Sequence, residues 1–295
     1  MATNLAEIVN PENEWRLQTP KPQGWGQSPY PAAENKYYMI SVDSHLMAPR
    51  DMFHKRLDAK WHDLLPRMEV RDGVRYLVTE GARPHPLIEF SLEGEDEYRM
   101  KTGGTLPAPD QQVGEDISVR IADQRRDGID GEVIFPNGPA LMMFAPKNIE
   151  FINAQTQAWN DWAYEACSPH WDFCNPAAAI CTADVDLAIA EVQRVAKLGY
   201  RCLTLPSKPV FGPPNVSEPN YNLKMYDPLW AAIQEADLAI TYHVSTGMDP
   251  RGARSTGGAV INYVIHSLAP TIEPIVNMCA SGVFERFPKL RAGTI

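Results

Sequence analysis

A chain of 295 residues with 44% hydrophobic and 22% charged residues can bury one large α/β domain or two small ones. Its formal net charge of -10, with no run of lysine or arginine, argues against nucleic acid and against an anionic membrane surface as partners. Five scattered cysteines without a CxxC pair suggest neither a disulfide framework nor a zinc knuckle; the polar stretch from Met1 to Glu14 has no signal-peptide core and no apolar run is long enough to span a bilayer, so a cytoplasmic setting is expected.

Residues 1–36 are rich in proline, glutamine, asparagine and glycine and are expected as an N-terminal arm lying over the domain, with Trp15 and Trp25 as anchors. The domain itself is expected over 37–295. It opens with Tyr37-Tyr38-Met39-Ile40-Ser41-Val42, whose near-continuous apolar character predicts a buried strand, and this strand runs into Asp43-Ser44-His45. Residues two apart on a strand share a face. Asp43 and His45 therefore aim a carboxylate and an imidazole at one point, at the strand's C-terminal end. That pair suits zinc, iron or manganese, although taken alone the same residues also describe a turn with an ordinary loop histidine.

Asp58 to Leu65 predicts a short helix. Met68 to Val78 predicts a β-hairpin, because Asp72-Gly73 tolerates the positive φ of a tight turn. This hairpin belongs to an insert over about 67–114, which ends in a long Gly-, Pro- and acid-rich loop from Glu93 to Gly114. From residue 115 the pattern is regular. Helices are expected over 115–126, 147–167, 183–198, 227–236, 261–268 and 272–284, alternating with strands over 131–136, 176–181, 201–206, 238–243 and 290–295. Alternation of this kind implies a parallel sheet with helices outside it. Six strands are countable where a closed (β/α)₈ barrel needs eight, so the expected architecture is a TIM-like barrel that stops within its sixth strand. An open doubly wound sheet is the rival, weakened by the lack of a Gly-rich phosphate loop after the first strand.

The strand Leu238 to His243 runs apolar into a histidine, as the first strand does into His45. A single histidine at a strand end is commonly structural. Together with Asp43 and His45, however, His243 completes two imidazoles and one carboxylate, enough for a catalytic metal with open positions.

Several segments carry a family resemblance. Ile40-Ser41-Val42-Asp43-Ser44-His45, followed by Pro49 and Asp51, is similar to the first-strand metal motif of the amidohydrolase-related family, in the branch of aminocarboxymuconate semialdehyde decarboxylase and the resorcylate decarboxylases. Asp127 to Pro136 resembles that family's next core strand, and Asn160-Asp161-Trp162 its following helix. Ser281-Gly282-Val283-Phe284-Glu285-Arg286-Phe287-Pro288-Lys289-Leu290 is the most specific match, to the signature before the sixth strand. The resemblance covers about 37–295. It implies a distorted TIM-like barrel with one divalent metal, zinc or manganese, held by Asp43, His45 and His243. The family's further aspartate after strand eight has no counterpart in this sequence. No lysine ends the strand Arg201–Pro206, where binuclear relatives carry a bridging carbamate (Lys208 is close by), so one metal is expected rather than two.

Other conspicuous residues have plainer readings. Trp159, Trp162 and Tyr164 on one helix suit packing. His54, His62, His85 and His170 suit the surface, and His266 a structural place on a helix. Met142-Met143-Phe144 suits either a core contact or a soft apolar pocket wall, the second favoured because it follows a strand's C-terminal end. Asn137 at the same strand end suits substrate binding; Arg251 and Arg254 in the loop expected after His243 suit either solvent exposure or, for Arg251, a bidentate hold on a substrate carboxylate.

The function expected from this reading is a metal-dependent enzyme acting on a small carboxylic acid, with non-oxidative decarboxylation of an aromatic or unsaturated acid as the lead reaction. Hydrolysis of an amide, ester or lactone by a metal-bound water is the alternative. A non-catalytic truncated fragment is a third reading, of a different class. The partners expected are the small carboxylate and, as an option, a second copy in a homodimer.

Overall fold

The computed structural model describes residues 39–49, 51–81, 84–86, 117–209, 219–244, 246 and 256–295. The expected N-terminal arm, the loop Glu93 to Gly114, and Arg251 and Arg254 lie outside the described residues.

Six parallel stations form one curved arc. β1 (Ile40–Leu46) pairs with β5 (Gly131–Pro136), and β5 with β6 (Cys174–Pro176). β7 (Ala178–Ala179) continues the path of β6 and pairs with β8 (Cys202–Leu205); β8 pairs with β9 (Ala239–Tyr242) and β9 with β10 (Arg291–Thr294). Every one of these pairings is parallel, which requires a crossover between successive stations. Helices α2 (Ile117–Arg126), α3 (Ile149–Cys167), α4 (Val185–Leu198) and α5 (Asp227–Glu235) supply them, followed by α6 (Gly258–Tyr263), a π-helical stretch (Val264–Leu268), α7 (Ala269–Ala280) and the short α8 (Val283–Arg286). This is the α/β arrangement of a TIM-like barrel; among the described residues the parallel strands form two sheets, β1-β5-β6 and β7-β8-β9-β10, adjoining where β6 runs into β7, and they do not close.

Local chemistry explains the better-defined elements. Asn148 accepts from the Phe151 N–H at the start of α3, and Asp184 from the Leu187 N–H at the start of α4; both are N-caps that satisfy an otherwise orphaned donor. α4 stops at Gly199, whose φ of 93° is left-handed and costs glycine nothing. Ala188, Val192 and Val195 of α4 are buried and meet Leu203, Leu205, Ile240 and Trp230 in the largest core cluster, between sheet and helices.

The insert is a separate small sheet of β2 (Arg67–Arg71), β3 (Val74–Val78) and β4 (His85–Pro86), all antiparallel. Its turn is Asp72-Gly73, with φ values of 50° and 78°, as the dipeptide predicts. The helix expected from Asp58 is instead α1 (Met52–Arg56) followed by a 3₁₀ turn, Ala59–Leu64.

Three expectations need correction. The first strand is buried only at Ser44 and Leu46, with His45 half-buried; Ile40 and Val42 are half exposed, because β1 has β5 as its single strand neighbour among the described residues. The strand expected over 176–181 is two short pieces. Pro176 brings no N–H to the ladder, and the backbone of Ala179 bonds instead to the side chain of Asn160 on α3: Ala179 N–H donates to Oδ1 (2.7 Å) and Nδ2 donates to the Ala179 carbonyl (2.9 Å). Finally, Met143 and Phe144 are core residues packed with Phe151 and Trp159, not a pocket wall.

Trp159 and Trp162 do pack, with ring centroids 5.2 Å apart. His54 is exposed, and the half-buried His62 ring bonds to the Leu57 carbonyl.

Candidate metal centre

The inner face of the arc follows from the pairing register. Val133, Phe135, Ala177, Cys202, Ala239 and Ile295 meet in one apolar cluster, which fixes the inward parity of their strands. By that parity Asn137 follows Phe135 on β5, Thr204 follows Cys202 on β8, and Thr241 and then His243 follow Ala239 on β9. β1 contributes Asp43 and His45 opposite.

These three side chains converge. Asp43 Oδ1 lies 3.3 Å from His45 Nε2 and 3.3 Å from His243 Nε2. The two imidazoles meet edge to face with centroids 4.9 Å apart. One ligand atom from each of Asp43, His45 and His243 can be chosen so that all lie within 4.8 Å of one another. His243 is buried at 2% exposure, while the Asp43 side chain is 57% exposed, so the cluster opens on the aspartate's side.

The outer nitrogens decide what the inner ones can do. His45 Nδ1–H donates to the Pro136 carbonyl at 2.9 Å, and His243 Nδ1–H donates to the Val244 carbonyl at 2.6 Å. A backbone carbonyl can only accept, so each neutral ring carries its proton on Nδ1 and presents a lone pair at Nε2. Both lone pairs then face a carboxylate that also has only lone pairs to give. Three acceptors aimed at one another repel unless a cation sits among them. That is the donor set of a metal site, with both rings held in the tautomer a metal needs by hydrogen bonds on their far side. Two histidines and one carboxylate form a three-ligand set that leaves positions open for substrate or water.

Phe135 forms the floor. Its ring lies 4.9 Å from His243 and 6.4 Å from His45. It packs with Ala177 and Cys202, and with the half-buried Val133 and Ala239, in one apolar cluster. Parity was available in the sequence to find it: Phe135 sits two before Asn137 and ends an apolar run. The carbonyls of Pro136 and Val244 had no such signal, since every residue has one. Asn137 is half-buried and follows the end of β5, beside the Pro136 carbonyl that holds His45. The Thr204 hydroxyl is buried on the inner face without a hydrogen-bond partner. Lys208, beyond β8, turns the other way: its Nζ lies 3.7 Å from Glu273 of α7.

Two buried charged networks lie outside this face and hold the frame. Glu132, fully buried on β5, takes a bidentate pair of bonds from Arg120 of α2 at 2.8 and 2.6 Å. Glu191, buried on α4, accepts from Asn160 and from Arg194, and this pairing raises the Arg194 guanidinium's affinity for its proton.

The amidohydrolase family model matches residues 106–292. Among solved structures, the chain is similar to an amidohydrolase from Mycobacterium avium subsp. paratuberculosis K-10, at 22% identity over 88% of this chain and 72% of that one, with a TM-score of 0.63. It is similar to Metarhizium anisopliae IDCase at 17% identity over 87% of this chain and 64% of that one, TM-score 0.54. It is also similar to 5-carboxyvanillate decarboxylase from Novosphingobium aromaticivorans, solved with manganese and 4-hydroxy-3-methoxy-5-nitrobenzoic acid, at 16% identity over 88% and 64%, TM-score 0.52. The chain thus spans less than two thirds of the length of the last two. At these identities the likeness is one of fold. No curated protein matches the sequence.

Proposed function

The chain belongs to the amidohydrolase family, and we propose that within it the protein is a metal-dependent decarboxylase of a small aromatic or unsaturated carboxylic acid. The observation that carries the reading is the convergence of three lone-pair donors, Asp43, His45 and His243, with both imidazoles fixed from behind. The choice of decarboxylation is supported by the decarboxylases among the similar structures.

Asp43, His45 and His243 would hold a divalent ion, zinc or manganese, which would supply Lewis acidity toward the substrate's carboxylate. The chain's residues do the rest. Asp43, His45 and His243 hold the ion, and the Pro136 and Val244 carbonyls keep each Nε2 turned inward. Phe135 closes the floor against water, which strengthens every charge interaction above it. Asn137 and Arg251, the latter eight residues after His243 in the chain, bind and orient the substrate. The carbon–carbon bond to the carboxylate breaks, carbon dioxide leaves, and a protein acid delivers the proton that carbon takes up.

Hydrolysis is the second reading, because the same three-ligand set suits activation of a water. A panel of aromatic and muconate-like acids, assayed for carbon dioxide in the presence of manganese or zinc, is the test. Release that needs Asp43, His45 and His243 is the expected result. Cleavage of amides, esters or lactones with no carbon dioxide from any acid would replace decarboxylation by hydrolysis.

A further inference from the structure

The peptide unit that joins His243 to Val244 is held at both of its polar ends. Its carbonyl, that of His243, accepts from the Thr246 hydroxyl at 2.7 Å and from the Thr246 N–H at 3.3 Å. Its N–H, that of Val244, donates to the Ile295 carbonyl just after β10 at 2.9 Å. A peptide unit is planar, so anchors on opposite edges fix its plane. The His243 ring is tied to the same short stretch of backbone, because Nδ1–H donates to the Val244 carbonyl. What fixes that peptide therefore also fixes where Nε2 points.

The Thr246 hydroxyl is itself held. It has one proton, and the bond to the His243 carbonyl takes it. The Ser207 hydroxyl, 3.3 Å from Thr246 Oγ1, is therefore the donor of that pair. Both side chains are buried, Ser207 completely and Thr246 at 2% exposure. The residue before Ser207 is anchored as well. The fully buried Tyr221 donates to the Pro206 carbonyl at 2.7 Å and, its proton committed, accepts from Thr182 at 2.7 Å. Buried hydroxyls thus brace the chain just past β7 and β8 and lead to the ligand at the end of β9.

We infer that Thr246 is the positioning residue of the metal ligand His243, with Ser207 as its support from the end of β8. The inference rests on the reading of Asp43, His45 and His243 as a metal centre. A threonine that caps a carbonyl three residues back is common, and by itself it only closes a turn. Here the capped carbonyl belongs to a ligand, the capping hydroxyl is shut away from water, and a second buried hydroxyl from the neighbouring strand end sets its direction. Buried hydroxyls are costly unless bonded, and these two satisfy each other only in the arrangement that also holds the His243 carbonyl. A metal centre gains affinity when its ligands are in place before the ion arrives, which is what partners behind a ligand provide.

The experiment is manganese binding to the full chain by calorimetry, with the absorption spectrum of the cobalt-loaded chain as a second readout. Thr246→Val removes the hydroxyl and keeps the shape. It should weaken manganese binding about tenfold, the lower end of what loss of a partner behind a ligand costs, and should alter the cobalt spectrum because Nε2 is no longer aimed. Thr246→Ser keeps the hydroxyl and should restore both. Ser207→Ala should weaken binding in the same direction but less, since the Thr246 bond to His243 survives. A threonine that only closes a turn would lower the melting temperature of the metal-free chain and leave manganese affinity and the cobalt spectrum as in wild type; that result would overturn the proposal. If Thr246→Val does not fold, Ser207→Ala decides, and unchanged manganese affinity there removes the proposal. A wild-type chain that takes up neither manganese nor cobalt would bring down the metal-centre reading and the proposal with it, whereas wild-type binding that neither variant weakens brings down the proposal alone.

Discussion

His243 and Asp43 are 200 residues apart in the chain, yet His243 Nε2 lies 3.3 Å from Asp43 Oδ1. The contact joins β1 to the end of β9 across the inner face of the arc. With Nδ1–H committed to the Val244 carbonyl, the neutral His243 ring turns the lone pair of Nε2 toward Asp43. Two acceptors this close would accommodate a cation between them.

Removing either imidazole should abolish that design. His45→Ala and His243→Ala should each lower divalent-metal affinity by at least about a hundredfold, more than loss of an outer-shell partner does. Asp43→Asn keeps the shape but removes the charge and should also weaken binding. Manganese or zinc titration followed by calorimetry checks all three. Wild-type affinity in the two alanine variants would show that metal, if bound, sits elsewhere.

Metal content should be about one ion per chain. The three donors surround a single point, and Lys208, the nearest lysine to the end of β8, pairs with Glu273 instead of facing them. Chelation should lower the melting temperature, and one equivalent of manganese or zinc should restore it, as binding to the native state requires. Elemental analysis that finds two tightly held ions would refute the single-ion centre.

The convergence of Asp43, His45 and His243 was legible in the sequence because it rests on strand periodicity alone. Asp43 and His45 are two apart, and His243 ends an apolar run, so their shared face needed no knowledge of packing. The alternation of strands and helices was legible for the same reason. What was hidden depended on neighbours. The exposure of Ile40 and Val42 follows from which strands flank β1, and nothing in Ile40–Val42 encodes that. The break at β6 and β7 needs Asn160, nearly twenty residues upstream, to take over the backbone bonds of Ala179. The pocket role expected of Met143 and Phe144 failed because an apolar run after a strand reads alike whether it lines a cavity or fills a core.

Asn160 is accordingly a residue whose loss should be costly. Its side chain makes three bonds: two to Ala179 and one to the Glu191 carboxylate at 2.7 Å. Asn160→Ala leaves the buried Ala179 N–H and carbonyl without their partners, each worth about 1–3 kcal/mol when orphaned. A loss of about 2–5 kcal/mol in urea unfolding is expected, with metal affinity nearly unchanged because the trio lies on other strands. A change below about 1 kcal/mol would mean that Ala179 finds other partners.

The Arg120–Glu132 pair should behave as a buried ion pair does. Glu132 is fully buried, and Arg120 is its bidentate partner; the Glu132 carboxylate also raises the Arg120 guanidinium's affinity for its proton. Arg120→Met would strand a buried carboxylate and should cost about 3–5 kcal/mol. Adding Glu132→Met should recover part of that loss. If the double variant is less stable than the single one, the carboxylate is held mainly by Gln124 and Cys174, its other hydrogen-bond donors.

The cysteines give a pH dependence whose sign can be worked out. Cys167, Cys174, Cys181 and Cys202 are buried, whereas Cys279 is exposed. Burial pushes the Cys181 thiol up to about 11 and those of Cys167 and Cys202 up to about 12, because a thiolate in an apolar interior is poorly solvated. In the unfolded chain the same thiols ionise near about 8.5. A raised native value means that the native state keeps its protons where the unfolded state loses them. The contribution to stability is therefore complete below about pH 8.5 and is lost progressively as pH rises toward 11–12. Urea midpoints measured from pH 7 to 10 should fall above about pH 8.5, at first gently and then more steeply. A thiol reagent should modify Cys279 quickly in the native protein and the other four only on unfolding. Cys202→Ala should make the pH slope shallower, since it removes one of the buried thiols whose native value is raised. Fast modification of all five in the native protein would contradict the buried places of the four.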